Sequence, residues 1–244
     1  DALPILRVAF LNERSWGMVS KLGWKTHFLS TAFQLPLRPE KLPRVQTVTN
    51  RWTGGAAVSK LGGLAIRAIG RALTLITSRP ELLPASSENL KPFTQARNHG
   101  ALHVPRSAEF LEWRVLSHPH ADEFFIFKTS ANDDCLALAR VMSVGGHRRL
   151  QLLSVHYPSG KPGALSGLFG GVIRWALAEK VDTIIFLTSD PEVARIAKRW
   201  MPVKAQQRFA YHADDEAGLN FLGGAGQIWE LLDSDFEMML ESKE

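Results

Sequence analysis

His156 and Tyr157 are adjacent titratable side chains at the end of a strand-like run, residues 150–157. An unperturbed imidazole titrates at about 6.5, so His156 has a pKa usable for proton transfer near neutrality. A structural histidine at a strand end is the plainer alternative. The loop that follows brings together Ser159, Gly160, Lys161 and Gly163. Small residues beside a lysine can cradle a phosphate, but Pro158 and Pro162 each remove an amide donor, and a simple turn into the next helix fits equally well. His118 and His120 flank Pro119, and two imidazoles with no third ligand make a weak metal site; a helix ending before proline accounts for the triplet. The Gly223-Gly224-Ala225-Gly226 run does not clearly follow a strand and open a helix, so it is not read as a dinucleotide-binding turn.

The elements that must position these residues follow from the apolar pattern. Residues 5–11 form a short apolar run suited to a strand, Asn12 is placed to cap a helix through Lys21, Gly23 ends that helix, and 25–37 is again extended. Residues 38–55 are polar, basic and rich in Pro and Gly, as a linker is. Residues 56–77 read as a helix carrying Lys60, Arg67 and Arg71 on one face, and Pro80, Pro84, Ser86 and Ser87 return the chain to loop. Ser107 is placed to cap a helix through Leu116. Three strands at 123–128, 135–144 and 149–157 are expected to form two hairpins. A helix at 165–180, a strand at 183–187, a helix at 191–200, a strand at 207–212 and a short extended piece at 227–232 complete the order. Trp113, Trp175 and Trp200 are expected to pack in the core or between domains. This order predicts a mixed α/β (α+β) fold, a central, mainly antiparallel sheet flanked by helices, rather than a doubly wound parallel sheet.

Composition bounds the class. The chain has 244 residues, 45% of them hydrophobic, enough for a sizeable core. One cysteine, Cys135, excludes an internal disulfide framework and a cysteine zinc cluster, and it fits a reducing, cytoplasmic setting. The formal charge is +5 and is unevenly spread: residues 1–106 carry 15 Lys and Arg against 5 Asp and Glu, and residues 107–244 carry 14 against 19. A basic first half suits nucleic acid, an anionic membrane surface or a phosphorylated ligand, or is simply a solvated surface. The chain opens on Asp1 without an initiator methionine, which reads as a processed or truncated start. The most apolar long stretch holds three basic residues, so no integral membrane segment is expected.

Residues 12–25, NERSWGMVSKLGWK, carry a resemblance to a known family. With Asn12, Ser15, Met18, Lys21, Gly23 and Trp24 in register, the segment resembles the strand-helix-strand signature N-x-x-A/S-x-x-L-Y-x-K-x-G-F near the end of GNAT acyl-CoA N-acyltransferases. Val19 stands where that family usually has the tyrosine that protonates the departing thiolate. Residues 107–244 resemble a second, more divergent GNAT-like domain, of the kind seen in bacterial acetyltransferases and in proteins linked to polysaccharide assembly. The features are Phe110-Leu111-Glu112-Trp113-Arg114 with His118-Pro119, the element order, and Trp229 followed by Asp233-Ser234-Asp235. The organisation implied is the C-terminal part of a first GNAT-like domain over 1–42, a basic linker with a helix near 56–77 over 43–95, and a GNAT-like domain over 96–244.

The resemblance implies acetyl-CoA or another acyl-CoA as cosubstrate, bound in a splay between the strands at 150–157 and 183–187, and no metal. Ser154, Val155, Ser159, Gly160, Lys161, Gly163 and Ala164 are the implied cofactor-binding residues, although the family's R/Q-x-x-G-x-G/A loop is not kept there. His156 and Tyr157 are the implied catalytic residues, because Ala197 holds the place of the family tyrosine in this second domain. The implied acceptor is an amine on a small molecule, sugar or peptide, attacked directly; no nucleic acid is expected as partner, and a homodimer is left open. Two other readings stand beside this one: a catalytically degenerate GNAT-like module that binds a ligand or partner, and a nucleic-acid or membrane-surface module built on the basic first half.

Overall fold

The computed structural model describes residues 6–11, 13–41, 61–65, 68, 72, 77–94, 102–103, 106–129, 135–158, 162–213, 227–228, 230 and 232. Its centre is an eight-stranded sheet. The strands are β1 (Leu6–Leu11), β2 (Lys25–Pro36), β3 (Glu81–Pro84), β5 (Phe124–Lys128), β6 (Leu136–Val144), β7 (His147–His156), β8 (Thr183–Thr188) and β9 (Val203–Ala213), and their order across the sheet is β1-β9-β2-β8-β7-β6-β5-β3. Two short strands, β4 (Leu102–His103) and β10 (Gln227–Ile228), pair separately and in parallel. Within the large sheet β7 and β8 run parallel and the other described pairs are antiparallel. This is the mixed, mainly antiparallel α/β fold that the element order predicts.

Strands from residues 1–42 and from residues 96–244 share this one sheet. The helix α1 (Glu13–Val19) and a 3-10 turn, Ser20–Leu22, lie between β1 and β2, and Gly23 closes them in the left-handed conformation, φ 83°, where a side chain would be strained. β2 then inserts between β8 and β9. Phe33 is fully buried and stacks on Phe186 of β8 at 6.0 Å, and Leu37 is equally buried. This segment is thus joined to the body of the chain by strand pairing. The Asn12 cap lies outside the described residues, as does most of the expected helix at 56–77, of which 61–65 are helical.

Local chemistry sets the remaining elements. Gly145 and Gly146, at φ 56° and 73°, make the two-residue turn between β6 and β7, which needs positive φ at both central positions. The Ser107 hydroxyl accepts from the Phe110 amide at 3.1 Å and starts α3 (Ala108–Leu111), following a shorter helix α2 (Ser87–Leu90) that Ser86 caps through the Asn89 amide. Helix α4 (Pro162–Ala178) crosses from β7 to β8, and α5 (Pro191–Ala197) follows β8. Helices α4 and α5 cover one face with Leu165, Leu168, Phe169, Val172, Val193 and Ile196. Helices α2 and α3, with the turns that follow them, cover the other with Leu90, Phe93, Leu111 and Val115. Trp175 is wedged against Phe125 and Phe127, and the half-buried Trp200 donates its indole N–H to Ser166 Oγ at 2.9 Å.

Two expectations are corrected. Residues 80–87 are not loop: Glu81–Pro84 form the edge strand β3, paired with β5, where a terminal proline is tolerated because no outward donor is needed. Trp113 is not packed in the core but 63% exposed. After Leu111 the helix widens into a π turn, Glu112–Leu116, whose extra residue turns Trp113 to solvent and buries Arg114. No helix among the described residues is long and apolar enough to cross a membrane.

Candidate functional site

The parallel ladder between β7 and β8 stops early. Arg149 faces Thr183, Leu150 faces Ile184, Gln151 faces Ile185 and Leu152 faces Phe186; beyond these pairs β7 continues to His156 and β8 to Thr188 with no pairing between them. A bulge sits where they part, since Leu138 of β6 faces Ser154 whereas Ala139 faces Leu152, leaving Leu153 as an extra residue. A bulge increases twist and bends the strand that carries it. The ladder is therefore not continued along the full length of both strands, as the expected splay requires.

A carboxylate fills the cleft. Glu230, fully buried, forms an isolated antiparallel bridge with Thr188. Its side chain spans the gap: Oε1 accepts from the Val155 amide at 3.2 Å, and Oε2 accepts from the Ser154 hydroxyl at 2.5 Å and from Arg106 Nη1 at 3.1 Å. Arg106 also donates to Ser154 Oγ at 2.9 Å, and its side chain is only 11% exposed. The charge is thus matched inside the protein, as a buried ion must be. Ser30 and Thr31 of β2 are buried in the same region, with Thr31 directly opposite Thr188.

At the mouth of the splay Tyr157 directs its hydroxyl at Asp190 Oδ2, 3.2 Å away, and Glu192 Oε2, 3.4 Å away. Asp190 also caps α5, its Oδ1 accepting from the amides of Glu192 and Val193 at 2.9 and 3.2 Å, with Pro191 preset in the first turn. The ring of His156, half-buried, sits edge-on to Phe93 at 6.3 Å.

The structure brings Ser154, Val155, His156 and Tyr157 to one open strand end. Ala164 lies half-buried in the first turn of α4, next to Gly163, at the same end of the sheet; Ser159, Gly160 and Lys161 lie outside the described residues. Ala197 is fully buried against the core and Val19 half-buried at the end of α1, so neither position supplies a proton. His118 Nδ1 accepts from the His120 amide at 3.0 Å, and among the described residues no group of three or more His, Cys, Asp or Glu is placed to hold a metal. Sequence reasoning missed Arg106, Asp190 and Glu230. A single acid between Trp229 and Leu231 is the one local sign of a buried carboxylate, and Asp-Pro at a helix start is the sign of the cap.

Comparison with known proteins identifies the fold. No family model matches the sequence, and no curated protein is recognisably similar to it. Among solved structures, a GCN5-related N-acetyltransferase from Sphaerobacter thermophilus aligns with 86% of the chain at 11% identity and a TM-score of 0.51. The N-myristoyltransferase of Saccharomyces cerevisiae, solved with bound myristoyl-CoA and inhibitors, aligns with 86% of it at 12% identity and a TM-score of 0.50. The chain spans 60% of the first and 52% of the second. At such identities the likeness speaks to architecture: the chain has the GNAT acyl-CoA N-acyltransferase fold.

Proposed function

We propose that this chain is an acyl-CoA-dependent N-acyltransferase that uses acetyl-CoA or another acyl-CoA and an amine on a small molecule, sugar or peptide. The observation that carries this reading is the early end of the parallel β7–β8 ladder at Leu152 and Phe186, short of the ends of both strands. An extended amide-containing chain such as pantetheine adds to a strand edge as a strand would. The 17-residue helix α4 follows β7, starting at Pro162 after β7 ends at His156, and its N-terminus, with Ser159, Gly160, Lys161, Gly163 and Ala164, is assigned the pyrophosphate. Ser154 and Val155 are assigned the thioester end. That one fold neighbour was solved with myristoyl-CoA supports the class of cosubstrate. Residues 1–42 are read as the C-terminal part of a first GNAT-like domain, joined by a basic stretch over 43–95, which also supplies β3 and α2, to the domain of residues 96–244.

In the reaction the amine nitrogen attacks the thioester carbonyl carbon. A C–N bond forms, the C–S bond breaks, the nitrogen gives up a proton and coenzyme A leaves as a thiolate that must gain one. His156 and Tyr157 are the titratable side chains at the open end of β7 and are assigned these transfers; Asp190 and Glu192 orient the Tyr157 hydroxyl. Calorimetric titration with acetyl-CoA, followed by release of coenzyme A thiol over a panel of amines, tests the proposal. Saturable binding and amine-dependent release are expected. Absence of binding at millimolar acetyl-CoA contradicts it and leaves the non-catalytic binding module as the better reading.

A further inference from the structure

The Val155 amide already has an acceptor. It points out of β7 on the side where β8 has moved away, and the oxygen that meets it is Glu230 Oε1. The same carboxylate takes the Ser154 hydroxyl and Arg106, while the Glu230 main chain bridges Thr188 on the far wall. Glu230 thus touches both lips of the splay and stands where an added strand would have to enter. Charge-assisted bonds of this kind are shorter and stronger than neutral ones, so a neutral amide or thioester oxygen does not simply outcompete it.

We propose that Glu230 is an internal latch: its carboxylate occupies the Val155 amide, and acyl-CoA gains that amide only when the carboxylate leaves it. The proposal rests on the acyl-CoA reading above and adds to it a self-occupied resting state. Acyl-CoA binds the open form, and its apparent affinity is lowered by the fraction of molecules that are open. The carboxylate serves as a stand-in for the ligand oxygen, not as a substrate contact.

The test compares acetyl-CoA affinity, measured by calorimetry, in the parent chain, Glu230→Ala, Glu230→Gln and the double variant Arg106→Gln/Glu230→Gln. The double variant removes both charges together, so no unpaired ion is left buried if a single variant fails to fold. The latch predicts that affinity rises by ~10-fold or more in the variants that fold, as expected when an open form of about a tenth or less becomes the main one. It also predicts that hydrogen exchange at the Val155 amide speeds up in these variants without ligand and slows again when acetyl-CoA is added. Unchanged or weaker acetyl-CoA binding in every folded variant overturns the latch while leaving the acyltransferase reading intact, provided the parent chain binds. Unchanged Val155 exchange overturns it as well. If neither the parent nor any folded variant binds acetyl-CoA even though exchange at Val155 is released, the latch falls together with the acyl-CoA reading.

Discussion

Two buried carboxylates sit at opposite ends of the same strand pair and do different work. Asp182 lies at the closed end, just before β8, and Glu230 at the open end, just beyond it. Asp182 Oδ2 accepts from the Arg148 amide at 2.8 Å, its carbonyl accepts from the amides of Leu37 and Arg38 at 2.9 and 3.1 Å, and its own amide donates to Arg148 O at 2.8 Å. Arg38, Lys41 and His147 each stand 3.7 Å from its carboxylate. This one residue ties the end of β2, the start of β7 and the entry to β8, and every strand it touches is paired. Glu230 makes the same kind of bond, carboxylate to β7 amide, but where no strand remains to pair. At one end the acid extends a ladder; at the other it replaces a missing one. The first carboxylate is held among paired strands, whereas the second stands at the position that the proposal gives to a ligand.

The largest expected effect belongs to the open end. His156→Ala and Tyr157→Phe should each lower the rate of amine acylation by ~10²–10⁴ if the side chain carries a proton in the transition state, and far less if it only packs. Circular dichroism checks that the variants are folded. Full activity in both would remove the proton-transfer assignment and leave the open end as a binding surface.

The closed end should respond in stability. Asp182→Ala leaves the buried Arg148 amide without its acceptor and Arg38 and Lys41 without their nearby counter-charge, and it should cost about 3 kcal/mol in urea unfolding, the order expected when one partner of a buried charged contact is removed. Acetyl-CoA affinity in the folded fraction should stay as it was. A variant that keeps its stability but loses affinity would reverse the division of labour drawn between the two acids.

A smaller effect at the same end concerns pH. His147 is buried, its Nε2 lies 3.0 Å from Thr183 Oγ1, and burial holds its pKa below the usual 6.5, with Asp182 pulling the other way and Arg149 and Lys41 adding to the depression. The folded state therefore favours the neutral ring. Above about pH 6.5 both states are neutral and the full stability is present; as pH falls through that value the unfolded chain takes up the proton first and stability declines. His147→Gln should flatten this slope in urea titrations between pH 7.5 and 5.5, chosen to bracket the ordinary imidazole value of about 6.5. An identical slope in the variant would assign the decline to other groups.

Much of the scaffold was legible because its signals are local. The turn between the strand-like runs 135–144 and 149–157 falls on Gly145-Gly146, and Ser107 announces the helix it caps. β3 escaped because it is four residues long, mostly exposed and bounded by prolines, so neither alternation nor an apolar run marks it. Trp113 was misplaced because a helical period of 3.6 residues does not hold through a π turn. The strand pair of the site could be expected from the element order, and Ser154 to Tyr157 with it. Arg106 and Glu230 could not, because 124 residues separate them and their meeting depends on how the sheet closes.

The central claim is that acyl-CoA binds at the open end of β7. Hydrogen exchange mapped along the chain with and without saturating acetyl-CoA tests it most directly, because exchange reports local opening residue by residue. The account predicts that the amides of residues 153–156 and of the first turn of α4 gain protection, while those of the paired stretch 149–152 do not change. Protection confined to other parts of the molecule, or none at all at millimolar acetyl-CoA, would contradict it.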